Sequence, residues 1–377
     1  MDIRTKCVHG NGSNREATGA ISIPIYQSAT FAHPGVGQST GYDYSRLQNP
    51  TREQVEKTIT YLEKGQDTLA FSSGMAAISA MMELFFPKDH LIVSADIYGG
   101  THRLFHNICA KNLITFDFLD TSDLAAIKEC IKAETKAIFV ETPTNPMMHV
   151  ADIKAISTLA KEYGILTIVD NTFLTPYFQR PLELGADIVI HSGTKFLGGH
   201  NDTLAGFLVV SSQELSDELR FIYKTTGAVL SPFDSWLILR GIKTLSVRLE
   251  RQEQSALQIA QWLELQPKVM AVHYVGLTNH QGHEMCKSQS SGFGSMISFE
   301  VDCENTARQI LEKVEIILYA ESLGGVETLI TYPMLQTHGD IPQLEREEKG
   351  ITERLLRLSV GIEATEDIIL DLMQAIE

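Results

Sequence analysis

The chain predicts an α/β protein: a wound sheet with helices on both faces, a smaller C-terminal α+β unit and a polar N-terminal arm. Three observations lead there. Short β-rich stretches recur between residues 68 and 210. Helical apolar spacing fills several of the gaps between them. The stretches are almost wholly apolar, as strands are when both faces of their sheet are covered.

The elements follow in order. The first 50 residues are rich in Gly, Ser, Thr and Asn and weakly periodic, and read as an arm, 1–47, that lies on another body. TREQVEKTITYLE (51–63) carries helical apolar spacing with charges between. Strands are expected at 68–71, 91–93, 114–118, 137–140, 166–169, 187–190 and 206–210, and helices at 76–86, 122–132 and 153–163. One long helical stretch, 235–263, leads out of the large domain, 48–246. The smaller domain, 247–377, has strands near 296–301, 329–331 and 356–360 and helices near 306–313 and 366–376.

Charge and cysteine content narrow the function classes. Asp plus Glu number 47 against 31 Lys plus Arg, a net charge of −16. That balance argues against nucleic acid or a membrane surface as partner, since both attract clustered Lys and Arg. No apolar run approaches the ~20 residues of a membrane-spanning helix. The opening MDIRTK is not followed by an apolar stretch, so no secretory signal is expected. Cys7, Cys109, Cys130, Cys286 and Cys303 are scattered without a C-x-x-C pair, which reads as reduced thiols in a cytoplasmic protein.

Ligands of wound sheets bind outside the carboxyl ends of the strands, so the residues that each strand runs into matter most. SSGMAA (72–77) opens a helix after the first strand. It is either an ordinary N-cap or an anion site built from bare backbone N–H groups. DIYGGT (96–101) offers the Tyr98 ring beside two glycines, or is simply a turn with a core tyrosine. ETPTNP (141–146) stiffens Glu141 and Asn145 between prolines. Asp170 ends a buried strand and needs a partner, either a core Arg or a cationic ring nitrogen. Lys195 lies in HSGTKFLGGH (191–200), where a strand meets a glycine-rich turn. A lysine there is either solvated, or desolvated and nucleophilic.

Each feature alone has an ordinary structural use, but their conjunction is specific. Pyridoxal 5'-phosphate (PLP) requires an anion site, a facing aromatic ring, a carboxylate for its ring nitrogen and a lysine amine for its aldehyde. Competing motifs are missing: no G-x-x-x-x-G-K-[ST], no G-x-G-x-x-G after the first strand, no H-E-x-x-H. No metal is expected.

The motifs together resemble the Cys/Met-metabolism family of PLP enzymes. This family includes cystathionine γ-synthases, cystathionine γ- and β-lyases, methionine γ-lyases and O-acylhomoserine sulfhydrylases. YDYSRLQNPTR (42–52), SSGMAA, DIYGGT, ETPTNP, VDNTF (169–173), HSGTKFLGGHND (191–202), AESLGGVETL (320–329) and RLSVGIE (357–363) carry the resemblance across nearly the whole chain. It implies the aspartate-aminotransferase type of PLP fold and a homotetramer of two active dimers. It further implies that Lys195 bears the cofactor and moves protons, Asp170 pairs with the ring nitrogen and Tyr98 stacks on the ring. Gly74, Met75, Ser192 and Thr194 would bind the phosphate, with Tyr44 and Arg46 reaching it from a neighbouring subunit. Arg357 would hold the carboxylate of a small amino-acid substrate, with Asn145 and Ser322 beside it.

Within the family, Glu321 and Arg103 resemble the γ-synthase and γ-lyase pattern, and Asp43 with Arg103 would suit a long, two-headed substrate. Glu321 and Arg103 could instead form a surface or interface ion pair. Gly100 stands where methionine γ-lyases commonly have Cys. The expected activity is γ-replacement on an O-acylhomoserine by cysteine, or γ-elimination of cystathionine. Cystathionine β-lyase is the next alternative, then methionine γ-lyase or O-acylhomoserine sulfhydrylase. A PLP-binding regulator without turnover is the non-enzyme alternative. Gln336, in the unusual YPMLQTH (332–338), either adds a substrate hydrogen bond or is neutral.

Overall fold

The computed structural model describes residues 1–11, 19–339 and 341–377. The sequence-predicted strands of the first half form one seven-stranded sheet. They are β1 Asp67–Phe71, β2 His90–Ser94, β3 Thr115–Leu119, β4 Thr135–Glu141, β5 Leu166–Asp170, β6 Ile188–Ser192 and β7 Gly206–Val210. Their order is β1-β7-β6-β5-β4-β2-β3. β3, β2, β4, β5 and β6 run parallel, whereas β7 is antiparallel to both neighbours. β7 therefore reverses direction, and β1 points the same way as β6. The carboxyl ends of β1, β2, β4, β5 and β6 consequently share one edge. Alternate side chains enter different cores: Leu69, Phe71 and Ile190 join one, Ala70 and Val189 the other.

A second sheet comprises β8 Val269–His273, β9 Met296–Val301, β10 Leu318–Tyr319, β11 Leu329–Thr331 and β12 Leu355–Ser359, in the order β10-β11-β12-β9-β8. It has its own core around Phe299, Ile330, Leu356 and Leu358. β8 and the two-residue β10 were not anticipated. Both are edge strands, and neither is buried throughout, so neither shows the apolar run that marks the central strands.

Several boundaries differ from the sequence expectation. The helix expected over 76–86 is Gly74–Met82. Ser73 caps it by accepting the Ala76 amide at 3.1 Å, and it ends at Met82 with Glu83 as its C-cap. Asp123 accepts the amides of Ala125 and Ala126, so the next helix starts at Leu124 and spans Leu124–Cys130. The single stretch over 235–263 is two helices, Pro232–Ile242 and Leu245–Leu263. Arg248 fixes the break by donating to the Gly241 carbonyl at 3.0 Å, the Thr244 hydroxyl at 3.1 Å and the Phe196 carbonyl at 2.8 Å. The bond to Phe196 is a tertiary contact, invisible to periodicity.

The N-terminal segment is less detached than expected. Its helix Ile3–His9 inserts Cys7 into the large core. Residues 19–48 have little regular structure, and the arm's stretch 12–18 lies outside the described residues. Among the described residues no helix is long and apolar enough to cross a membrane, and no group of His, Cys, Asp and Glu could hold a metal ion.

Candidate active site

At the shared strand edge a cavity of about 360 Å³ lies between the two sheets' outgrowths, within the size range of small-molecule sites. Gly74, Met75, Tyr98, Asn145, Asp170, Ser192, Thr194, Lys195, Glu321, Ser322 and Arg357 line it. Eleven of the fifteen residues expected from sequence thus meet in one place.

The helix Gly74–Met82 aims its first amides into the cavity, where they have no carbonyl of their own helix to bond. A Cβ on Gly74 would stand 3.1 Å from the Ser192 Cβ, so a side chain at this position would crowd the mouth. Asp170 pairs in register with Ile190, two residues before Ser192. The anion site and the carboxylate therefore stand roughly 6–7 Å apart along β6. Thr172 donates its amide (3.0 Å) and hydroxyl (2.6 Å) to Asp170. Its oxygen also accepts the Ser192 amide at 2.9 Å, locking the ends of β5 and β6 together. Burial raises the Asp170 carboxyl above its ordinary value against those two hydrogen bonds.

Tyr98 stays 40% exposed, its ring free to face a ligand. Its amide donates to Glu141 Oε2 at 3.0 Å. A Cβ on Gly100 would lie 2.5 Å from Tyr98 Cε1, so the ring position depends on glycine there.

Lys195 is half-buried and donates to Ser322 Oγ at 3.0 Å. Burial, reinforced by the Arg357 charge, pushes its amine down to about 8. Relative to the ordinary 10.5, this raises the neutral fraction at pH 7 roughly 300-fold. Arg357 is 1% exposed. It donates to Asn145 Oδ1 (2.7 Å), the Ser322 carbonyl (3.1 Å) and Thr331 Oγ1 (3.2 Å). Its Nε has no partner, and burial lowers the guanidinium to about 10. It remains charged at neutral pH and lacks a bonded carboxylate, which is how an anion receptor is built. Ser322, touched by both cations, has a φ of 102°, a strained value for a non-glycine residue.

Four expected residues do not line the cavity. Tyr44 is 45% exposed, and exposed Arg46 donates to the Lys224 carbonyl. Asp43 accepts from Ser39 at 2.7 Å and pairs with His33 at 3.2 Å. Arg103 lies exposed on the outer side of the helix Gly99–Asn107. The Asp43–Arg103 clamp for a long substrate is therefore not assembled within one chain. Gln336 turns inward and accepts the Tyr332 amide at 2.8 Å, so it caps its own turn. Sequence reasoning missed Thr172 and Thr331 as supports, and it missed a buried pair behind β6, His191 Nε2 with Glu63 Oε1 at 2.6 Å. Thr172 was visible in VDNTF as a hydroxyl two residues after a strand-end carboxylate. Nothing in the sequence links His191 to a residue 128 positions earlier.

The residues at hand fit PLP: a helix end with free amides, a depressed lysine, a half-buried carboxylate and an open ring face, all on one cavity. Comparison with known proteins agrees. Residues 4–377 match the family described as Cys/Met metabolism PLP-dependent enzyme.

The chain belongs to this family.

It is therefore a PLP-dependent enzyme. A cystathionine beta-lyase of Lactococcus lactis subsp. cremoris is 50% identical over 375 residues, covering 100% of this chain and 99% of that protein. A cystathionine gamma-lyase of Bacillus subtilis (strain 168) is 49% identical over 377 residues, covering both chains completely (100%). Among solved structures, cystathionine gamma-lyase from Lactobacillus plantarum complexed with L-serine superposes with a TM-score of 0.97 at 43% identity, covering 100% of this chain and 98% of that one.

Proposed function

We propose that this enzyme breaks or forms the Cγ–S bond of cystathionine, by γ-elimination or by γ-replacement on an O-acylhomoserine with cysteine. The observation that carries this reading is Glu321. It lines the cavity beside Ser322, makes no hydrogen bond or ion pair among the described residues, and adds its charge to the fields on Lys195 and Arg357. A carboxylate at that rim suits the distal ammonium of a two-headed amino acid whose near carboxylate sits on Arg357.

When bound, PLP supplies an electrophilic carbonyl carbon and a ring that accepts the electron pair released at Cα. The chain's residues do the rest. The amides of Gly74 and Met75 and the hydroxyls of Ser192 and Thr194 hold the phosphate. Asp170, ionised, receives the ring N–H. Tyr98 covers the ring face. Arg357, with Asn145 behind it, orients the substrate carboxylate. The amine of Lys195, positioned by Ser322 and more readily deprotonated than an ordinary lysine because its value falls to about 8, would take the Cα proton in its neutral form. In γ-chemistry Lys195, having passed the first proton on, would take a second from Cβ, and Tyr98 would give a proton to the sulfur leaving Cγ; loss of sulfur from Cβ would need only the first removal and that same proton.

Among the described residues Lys195 and Arg357 are the cavity's only cationic lining residues, and no Arg of the same chain stands at the phosphate end. This supports an active dimer in which Tyr44 and Arg46 arrive from a second copy, and with it a homotetramer of two such dimers. The division into an arm (1–47), a cofactor-binding domain (48–246) and a smaller domain (247–377) belongs to the same proposal. All five cysteines are free, which supports a reducing, cytoplasmic setting.

The experiment is a product analysis with cystathionine. Cysteine, 2-oxobutyrate and ammonia are expected; homocysteine, pyruvate and ammonia would instead assign β-elimination. The β-lyase reading is kept because relatives named for both lyases are equally similar. If neither product set forms, O-acylhomoserine with cysteine should yield cystathionine. Failure of all three would overturn the proposal.

A further inference from the structure

Glu141 ends β4, is buried, and stands in register with half-buried Asp170 on β5, so two carboxyl groups lie on adjacent strands at one edge of the cavity. Adjacent strands are roughly 4.8 Å apart, a separation at which two desolvated carboxylates cannot both ionise cheaply. Every charged group facing Glu141 bears on which one holds the proton. Asp170 faces it from β5, Asp96 from the turn after β2, and Arg357 from β12 across the cavity. Burial first and the Asp170 charge second push the Glu141 carboxyl well above the carboxylate range; Arg357 offsets this only in part. The hydrogen bonds decide the same way. Asp170 receives both an amide and a hydroxyl from Thr172, whereas Glu141 receives one amide, that of Tyr98.

That amide has a structural consequence. Tyr98 is the N-cap of the helix Gly99–Asn107, and its own side chain makes no capping bond. Glu141 reaches the N-cap amide from a neighbouring strand, as the glutamate of a capping box does within one helix. The turn is tight on its other sides. Gly99 packs against the Thr337 carbonyl, and Gly100 lies beneath the Tyr98 ring. The strand end that bears the second carboxyl therefore also sets where the aromatic ring lies over the cavity.

We propose that Glu141 is a positioning residue: as a neutral carboxylic acid it anchors the Tyr98 turn over the cofactor site and leaves Asp170 as the ionised member of the β4–β5 pair. This rests on the PLP reading of the cavity, in that Asp170 is the group serving the ring nitrogen.

The test compares Glu141→Gln with Glu141→Ala in the full-length chain, with and without PLP. Amide hydrogen exchange of a peptide spanning Tyr98 and the pH dependence of the bound cofactor's visible band are both read. Gln keeps an acceptor oxygen and carries no charge, so exchange, band midpoint and kcat should stay within about threefold of the parent. Ala removes the acceptor. Exchange at Tyr98 should then accelerate about tenfold even without cofactor, and kcat should fall about 10- to 100-fold as the ring loses its position. Should the Ala variant fail to fold, Glu141→Asp, too short to reach the amide, serves in its place with the same expectation. A shift of the band midpoint by about one unit or more in Glu141→Gln would mean that an ionised carboxylate had been removed, and would overturn the proposal. Unchanged Tyr98 exchange in Glu141→Ala would overturn it equally. Absence of a visible band in the parent protein would overturn the PLP reading instead, which keeps the two failures distinct.

Discussion

Arg357→Gln tests the anion receptor directly. The guanidinium is depressed from 12.5 to about 10 because it is buried without an ion pair. That depression corresponds to roughly 3 kcal/mol stored against the charged form. A substrate carboxylate would recover about that much, so replacing the charge with an amide should weaken amino-acid binding roughly 100-fold. Stability should respond differently. Removing the strained charge relieves roughly 3 kcal/mol, while Asn145 Oδ1, the Ser322 carbonyl and Thr331 Oγ1 lose three hydrogen bonds worth about 1 kcal/mol each. The two nearly cancel, so the unfolding midpoint of the cofactor-free protein should move by no more than about 2 °C in a chain of this size. Binding is measured by titrating the cofactor band with an unreactive amino acid, and stability by calorimetry. A dissociation constant changed less than about threefold would refute the receptor role. A midpoint lowered by more than about 5 °C would show Arg357 to be a structural strut instead.

Lys195 should capture PLP at a rate that rises with pH and levels above about 8, because burial and the Arg357 charge disfavour its ammonium. Stopped-flow absorbance with cofactor-free protein reads this, and a rate still climbing at the ordinary lysine value of 10.5 would contradict the desolvated amine. Gly100→Ala should displace the Tyr98 ring, since the added Cβ would lie 2.5 Å from Cε1. We expect kcat to drop about tenfold with little change in unfolding midpoint; unaltered kinetics would mean that the ring position is not constrained. Mixing Lys195→Ala with Arg46→Ala subunits should restore activity to about a quarter of the parent level if each site takes its arm from the partner. If the mixture stays as inactive as its components, Arg46 does not cross between subunits.

The readable part of the fold was its buried part. β2, β4, β5 and β6 announced themselves as apolar runs, because a strand covered on both faces tolerates little else. β8 and β10 did not, being partly exposed edges. The break after Ile242 was hidden for another reason. Residues 235–263 carry apolar spacing on both sides of the break, and the Phe196 carbonyl that Arg248 reaches there lies 52 positions earlier. At the site, Lys195, Asp170, Tyr98 and the Gly74 turn were legible because each follows directly on a strand. Asp43 and Arg103 follow no strand end: within one chain Asp43 accepts from Ser39 and pairs with His33, and Arg103 is not among the cavity's lining residues.

Local sequence thus determined which strand ends carry an amine, a carboxylate, a ring and a bare helix terminus, since these are properties of a few consecutive residues. Tertiary structure alone decided their electrostatics. The reversal of β7 brings the end of β1 to the same edge as β6, the register sets Glu141 beside Asp170, and β12 delivers Arg357 from the second sheet. Desolvation and charge coupling depend on distances between segments far apart in the chain, and short-range patterns of residues do not contain those distances.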